Sequence, residues 1–383
     1  MCIRDSVFER FKDVFSKDKF DIAKCNVPKA HIMTEPGKTA KDQPARHSET
    51  EGDIIQDYLD EMLKSDQIRK LRPDEYSEWN HRLLLVFRNE GEKNFLSSKA
   101  DSQTMTREER IEHLKKGSRL VSDVRNLNSI SVKAGTMYLP TIQELLPTFG
   151  FNGKEGKCCS TTDIRSGFSN IELDYRSQLK TAFVHRGQKY CYTRMLQGWT
   201  NAPVIFQERL ARILNRETFQ EFLKEKNFNR PLVFEKCLIT YLDDICLLGD
   251  DVDQHLLVWE YMLIRFKVMG LKINAKKTQI MSENINFLGY QITPGRNEYG
   301  LTSERKAAFQ GWKFQANREY LVSRLCTLNY FDTCIPGFKI ITQCLNALVR
   351  EKSMVVEKFH VKEFEMMKLL LELDITFLSL IHI

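Results

Sequence analysis

Two apolar runs, Cys237 to Leu242 and Ile245 to Leu248, flank the pair Asp243-Asp244. Short apolar runs around a polar pair are the pattern of a tight β-hairpin, here with carboxylates at its tip. Such turns favour Gly or Asn at their centre, and this one has neither. Adjacent carboxylates on a turn repel each other, an arrangement best tolerated when cations sit beside them. An ordinary Asp-containing turn is the alternative, and the surroundings decide between the two.

Asp163 supplies a third carboxylate at the end of a strand expected over Cys158 to Ile164. Three carboxylates from neighbouring strands suit two Mg²⁺ ions about 4 Å apart (Mn²⁺ could substitute), the arrangement for in-line phosphoryl transfer.

The 383 residues suit two or three packed subdomains, and a hydrophobic content of 42% allows a sizeable core. A net charge of +6 permits a polyanionic partner without requiring one. The ten cysteines form no Cys-x-x-Cys pair and no zinc-ligand spacing. They read as reduced thiols of an intracellular protein, cytoplasmic (in a virus-like particle) or nuclear. No apolar run approaches the roughly 20 residues that span a bilayer, so no membrane partner is expected.

Residues 7 to 50 read as an irregular lead-in punctuated by Pro28, Pro36 and Pro44. Ile54 to Leu71 reads as an amphipathic helix and Leu83 to Phe87 as a buried strand. Asn89 to Lys116 is charged, with no sustained apolar face, and reads as a solvated loop with one helix over Arg107 to Lys115. Beyond Lys157, short strands and helices separated by turns predict an α+β fold. Asn201 to Asn215 reads as a helix with Asn201 as N-cap; Asp251 or Asp253 caps another that stops at Gly270. After Leu301 the pattern is helical to the end, around a Pro336-Gly337 break.

Met1-Cys2-Ile3-Arg4-Asp5-Ser6 back-translates to a string whose reverse complement encodes Leu378-Ser379-Leu380-Ile381-His382-Ile383. Such ends resemble a transposase adaptor from sequencing-library preparation. Both hexapeptides are set aside from fold reasoning, and a fragment of a longer chain is expected.

Asp163-Ile164-Arg165-Ser166-Gly167-Phe168, Lys180-Thr181-Ala182-Phe183, Gln197-Gly198-Trp199-Thr200-Asn201-Ala202-Pro203 and Tyr241-Leu242-Asp243-Asp244 follow one another in that order. The ordered set resembles reverse transcriptases of the retroviral type, above all those of gypsy-like LTR retrotransposons. Asp123-Val124-Arg125-Asn126-Leu127-Asn128, Gly270-Leu271-Lys272-Ile273-Asn274 and Phe287-Leu288-Gly289-Tyr290 agree with it.

The resemblance implies a right-hand polymerase with an antiparallel palm sheet. Fingers fall at 54–156 and 176–203, palm at 157–175 and 204–294, thumb and the start of a connection at 295–377. It implies Asp163, Asp243 and Asp244 as the metal-holding triad, Ile164 lending its carbonyl, and Lys277 as general acid toward pyrophosphate. Arg119 would contact the triphosphate, Phe168 would gate the sugar, and Gln197 with Gly198 would brace the nucleotide. Phe287, Leu288, Gly289 and Tyr290 would grip the primer. The implied partners are an RNA or DNA template with its primer, deoxynucleoside triphosphates, and protease, ribonuclease H and integrase domains of one polyprotein. The charged insertion leaves Arg88, Lys115 or Lys116 as the second phosphate contact, and Leu196 stands where the family usually has Pro.

Two other readings compete. An inactive, domesticated copy would bind nucleic acid without needing paired carboxylates. An RNA-dependent RNA polymerase would carry Gly-Asp-Asp; Tyr-Leu-Asp-Asp with an aromatic Phe168 favours DNA synthesis.

Overall fold

The computed structural model describes residues 9–18, 20–87, 106–145, 149, 158–293, 298–334, 337–351, 353–372 and 377–378. The strands, in chain order, are β1 (Ile68–Lys70), β2 (Arg82–Phe87), β3 (Ser118–Asp123), β4 (Cys158–Asp163), β5 (Phe183–His185), β6 (Gln188–Tyr192), β7 (Leu238–Tyr241), β8 (Asp244–Gly249), β9 (Ile285–Phe287), β10 (Tyr290–Thr293), β11 (Glu298–Leu301) and β12 (Phe377–Leu378). They form four antiparallel sheets, ordered β2–β3, β1–β6–β5, β4–β8–β7 and β12–β11–β10–β9.

In the sheet β4–β8–β7, the central strand β8 is apolar on both faces. Successive side chains of a strand point to opposite faces. Ile245 and Leu247 enter one core with Phe206 and Leu210 of helix Ala202–Ile213 and Val258 and Met262 of helix Val252–Met269. Cys246 and Leu248 enter a second core with Ile285, Phe287 and Tyr290 and with Leu321, Leu328 and Phe364 of later helices. Each such aliphatic side chain contributes roughly 1.5–3 kcal/mol on burial. Because neither side of β8 is polar, its side-chain pattern alone does not set its register with β7; the two-residue turn between Tyr241 and Asp244 does.

Helix Val252–Met269 opens on Asp251, whose carboxylate accepts from Gln254 N at 2.9 Å. It ends at Gly270 with φ 69°, where any side chain would run into the Lys24 carbonyl. The irregular lead-in straps the other elements together through isolated bridges from Phe15 to Ile273, Ala30 to Leu173 and Thr34 to Ser131. Among the described residues, no helix is long and apolar enough to cross a membrane.

Three expectations need correcting. The helix expected over Ile54 to Leu71 is Glu49–Lys64, opened by a Ser48/Glu51 capping box. It breaks at Asp66, with φ 54°, and Ile68–Lys70 pairs instead with β6, which satisfies its backbone there.

Of the charged stretch 89–116, only 106–116 falls within the described residues. There the helix expected over Arg107 to Lys115 is found as Arg107–Gly117, capped by Thr106 and Glu109 and packed on the first. Leu114 is fully buried against Ile54 and Tyr58, and the Tyr58 hydroxyl donates to the Lys115 and Ser118 carbonyls, each at 2.9 Å. A single buried leucine anchors this helix, too little to leave a periodic signature in the sequence.

Asn201 precedes its helix without capping it. Its residue already has helical φ and ψ, and its amide instead accepts from Ala134 N at 3.1 Å and donates to the Val132 carbonyl at 2.8 Å. Lastly, the helices after Leu301 are followed by β12, in which Leu378, part of the hexapeptide set aside, pairs with Glu298.

Candidate active site

Asp163 and Asp244 are cross-strand partners at the ends of β4 and β8. Such partners hold their Cβ atoms about 4.5–5.5 Å apart. Asp243 sits beside them in the turn closed by the Tyr241–Asp244 pair. Leu242, the other turn residue, has φ 53°, a conformation that costs a branched residue about 1–3 kcal/mol.

The surroundings hold that strained turn. Gln207 accepts from Leu242 N at 3.0 Å and donates to Thr240 Oγ1 at 3.3 Å. Ile164 N donates to the Asp243 carbonyl at 2.7 Å. Gly167 leaves room for the side chain: a Cβ there would overlap Asp243 Oδ1 and lie 2.8 Å from the Phe206 ring.

The site carries unbalanced negative charge. Burial pushes the Asp243 carboxyl up to about 7, the negative charges of Asp163 and Asp244 add to this, and Lys277 opposes it. Asp244 is also raised, by burial first and then by Asp163. Asp243 Oδ1 is buried with no hydrogen-bond partner, a costly state that a cation would relieve. Lys277 Nζ forms an ion pair with Asp163 Oδ1 at 3.1 Å while its side chain stays 64% exposed. Asn274 sets up that contact: its N–H donates to the Asp163 carbonyl at 2.8 Å, and its side chain caps the turn Ala275–Lys277. Among the described residues, no three acidic, His or Cys side chains form a ready-made metal cage.

A cleft of about 790 Å³ is lined by Arg119, Gln197, Ser166, Leu196, Lys115 and Lys116, and none of the three carboxylates is among its lining residues. Arg119 projects from β3 opposite Val86. Gln197 is exposed, and Gly198, at φ 90°, offers its carbonyl to Asn128 Nδ2 at 2.8 Å. Phe168 is partly buried, edge-on to Phe206 with ring centroids 5.6 Å apart.

Of the three candidates for a second phosphate contact, Arg88 lies outside the described residues. Lys115 is paired with Asp57 and, at 2.9 Å, with Glu61. Lys116 is more exposed and pairs only with Glu112 among the ion pairs of the described residues, at 2.8 Å.

Phe287 and Tyr290 turn their side chains into the second core, and the Tyr290 hydroxyl donates to the Tyr330 carbonyl at 2.6 Å. The turn Leu288–Gly289 of this motif, with φ of 53° and 81°, is half-buried, Leu288 packing on the same core. Sequence reasoning missed Gln207, whose amide resembles any polar side chain until the turn it holds is seen, and read Asn274 only as the end of a motif. Gly167 was readable only as part of a motif.

Three carboxylates at the tip of an antiparallel sheet are the central feature of a right-hand polymerase fold. Residues 107–292 match the family model "Reverse transcriptase (RNA-dependent DNA polymerase)". Over those residues the chain carries a reverse transcriptase domain of the retroviral type.

It is 29% identical over 264 residues to the retrovirus-related Pol polyprotein from transposon 297 of Drosophila melanogaster, which spans 67% of this chain and 22% of that polyprotein. It is 29% identical over 194 residues to the Pro-Pol polyprotein of simian foamy virus type 3, 51% of this chain and 15% of that one. The chain thus covers less than a quarter of either relative. Among solved structures, a foamy viral protease-reverse transcriptase in complex with an RNA/DNA hybrid superposes with a TM-score of 0.69 at 21% identity. That match covers 96% of this chain and 43% of the other, a likeness of fold.

Proposed function

We propose that this chain is an RNA- and DNA-templated DNA polymerase, extending a primer 3′ end as part of an LTR-retrotransposon polyprotein, inside the cell. The observation that carries the reading is the convergence of Asp163, Asp243 and Asp244, with one buried carboxylate oxygen left without a partner.

The donor set suits Mg²⁺: the hard carboxylate oxygens of Asp163, Asp243 and Asp244 would hold it, with the Ile164 carbonyl joining them. When bound, such ions activate the primer hydroxyl and stabilise the charge of the transferring phosphoryl group. The chain's own residues do the rest. Arg119 and Lys116 offer cations to a triphosphate in the cleft, and Gln197 with Gly198 braces the base and sugar. Lys277 holds a proton at Nζ for the departing pyrophosphate. Phe168 walls off the space that a ribose hydroxyl would need.

Template and primer lie along the cleft, held mainly through phosphates. Protease, ribonuclease H and integrase domains belong to the same polyprotein. The foamy viral protease-reverse transcriptase of like fold, solved in complex with an RNA/DNA hybrid, supports the choice of duplex.

The test is extension of a DNA primer on matched RNA and DNA templates with Mg²⁺ and deoxynucleotides. Extension on both supports the reading. Tight binding without extension marks an inactive nucleic-acid-binding copy instead.

A further inference from the structure

Gln279 joins two sheet edges at once. Its backbone exchanges both hydrogen bonds with Thr161 on the outer edge of β4, N to O at 2.9 Å and 2.8 Å. Its side-chain oxygen accepts from Asn286 N at 2.9 Å, on the outer edge of β9, and from Thr161 Oγ1 at 3.2 Å. The neighbours of Gln279 extend the seam. Thr278 Oγ1 meets Thr162 Oγ1 at 2.8 Å, and Met281 N donates to Ser160 Oγ at 2.9 Å. Ser160 is held in turn by buried His255, at 2.7 Å.

The seam runs into three parts of the site. Thr161 lies two residues before Asp163, Asn286 two before Leu288, and Gln279 two after Lys277. We infer that Gln279 is a positioning residue, setting the distance between the turn Leu288–Gly289 and the Asp163–Lys277 pair. In doing so it aligns a primer end with the reacting phosphate. The inference rests on the polymerase reading.

Packing and alignment are separable here. Cys159, Ile285 and Phe287 share the second core, so the two sheets stay together when the amide is lost. The Asn286 N–H lies near the surface, where water can replace its lost partner. Only the fixed spacing goes, and small misplacements of reacting groups cost rates of up to about a hundredfold.

The experiment is rapid-quench insertion of one deoxynucleotide on a primer–template, reading burst amplitude and burst rate separately. For Gln279→Ala the burst rate is expected to fall about tenfold or more, with amplitude and half-saturating nucleotide concentration unchanged. Gln279→Glu, whose carboxylate accepts from both Asn286 and Thr161, should restore most of the rate. An unchanged burst rate in Gln279→Ala overturns the inference. So does a loss of amplitude alone, the mark of a folding defect, or a failure of Gln279→Glu to rescue. If the unaltered chain itself shows no insertion, the polymerase reading fails, and this inference fails with it.

Discussion

Gly167 is the floor on which the Asp243 carboxylate rests: a single added methyl would overlap Oδ1 and come within 3.0 Å of Cγ. Gly167→Ala must therefore shift Asp243 or press on Phe206. Primer extension should fall by about a hundredfold, the scale on which misplaced reacting groups lose rate. Primer–template binding, which rests on phosphate contacts, should persist in a fluorescence-anisotropy titration. Extension at the native rate would show that the carboxylate needs no such fit.

Phe168 leans edge-on against Phe206 and keeps part of its ring outside the core. If the ring walls off the 2′ position, Phe168→Val should admit ribonucleotides. Its preference for deoxynucleotides, read as the ratio of kcat/KM values, should fall by roughly a hundredfold, the worth of excluding one hydroxyl. An unchanged ratio would make Phe168 a packing residue.

Leu114 anchors helix Arg107–Gly117 to Ile54 and Tyr58. Leu114→Ala should cost about 2–5 kcal/mol in urea unfolding. A shift below about 0.5 kcal/mol would return this helix to the status of a dispensable surface element.

How much of this was legible beforehand depended on the physics of each part. The hairpin was readable because both its faces are buried and its tip is acidic, so Ile245 to Leu248 stand out as an unbroken apolar run. The cap at Asp251 and the stop at Gly270 were equally local. Ile68–Lys70 was not, because its strand pairing is decided by β6, more than a hundred residues away. Asn201 was misread for a similar reason: the loop at Val132 and Ala134, not its own helix, uses its amide. Within the site, charged residues announced themselves through motifs. The amides of Gln207, Asn274 and Gln279 act on backbone groups that fold into reach, and no local pattern marks that.

The raised Asp243 carboxyl has a consequence for stability. Its ordinary value is 3.8, and in the folded chain it stands at about 7. Between those values the unfolded chain has released the proton while the folded chain still holds it. In metal-free buffer this group therefore lowers stability as pH rises through that window, and the penalty is complete above it. Asp243→Asn has no proton to lose there. The stability of the variant relative to the native chain should grow from about pH 4 to pH 7, by at most a few kcal/mol at roughly 1.4 kcal/mol per unit. Urea unfolding with a chelator, at both pH values, measures it. A difference independent of pH would contradict the electrostatic account of the site.

The central claim is that the three converging carboxylates make this chain a polymerase. The most direct measurement compares the native chain with Asp243→Asn in single-nucleotide primer extension on an RNA template with Mg²⁺, with primer–template affinity measured in parallel. The account predicts robust extension by the native chain, a loss of several orders of magnitude in the variant, and affinities that stay close. Near-native extension by Asp243→Asn would contradict it.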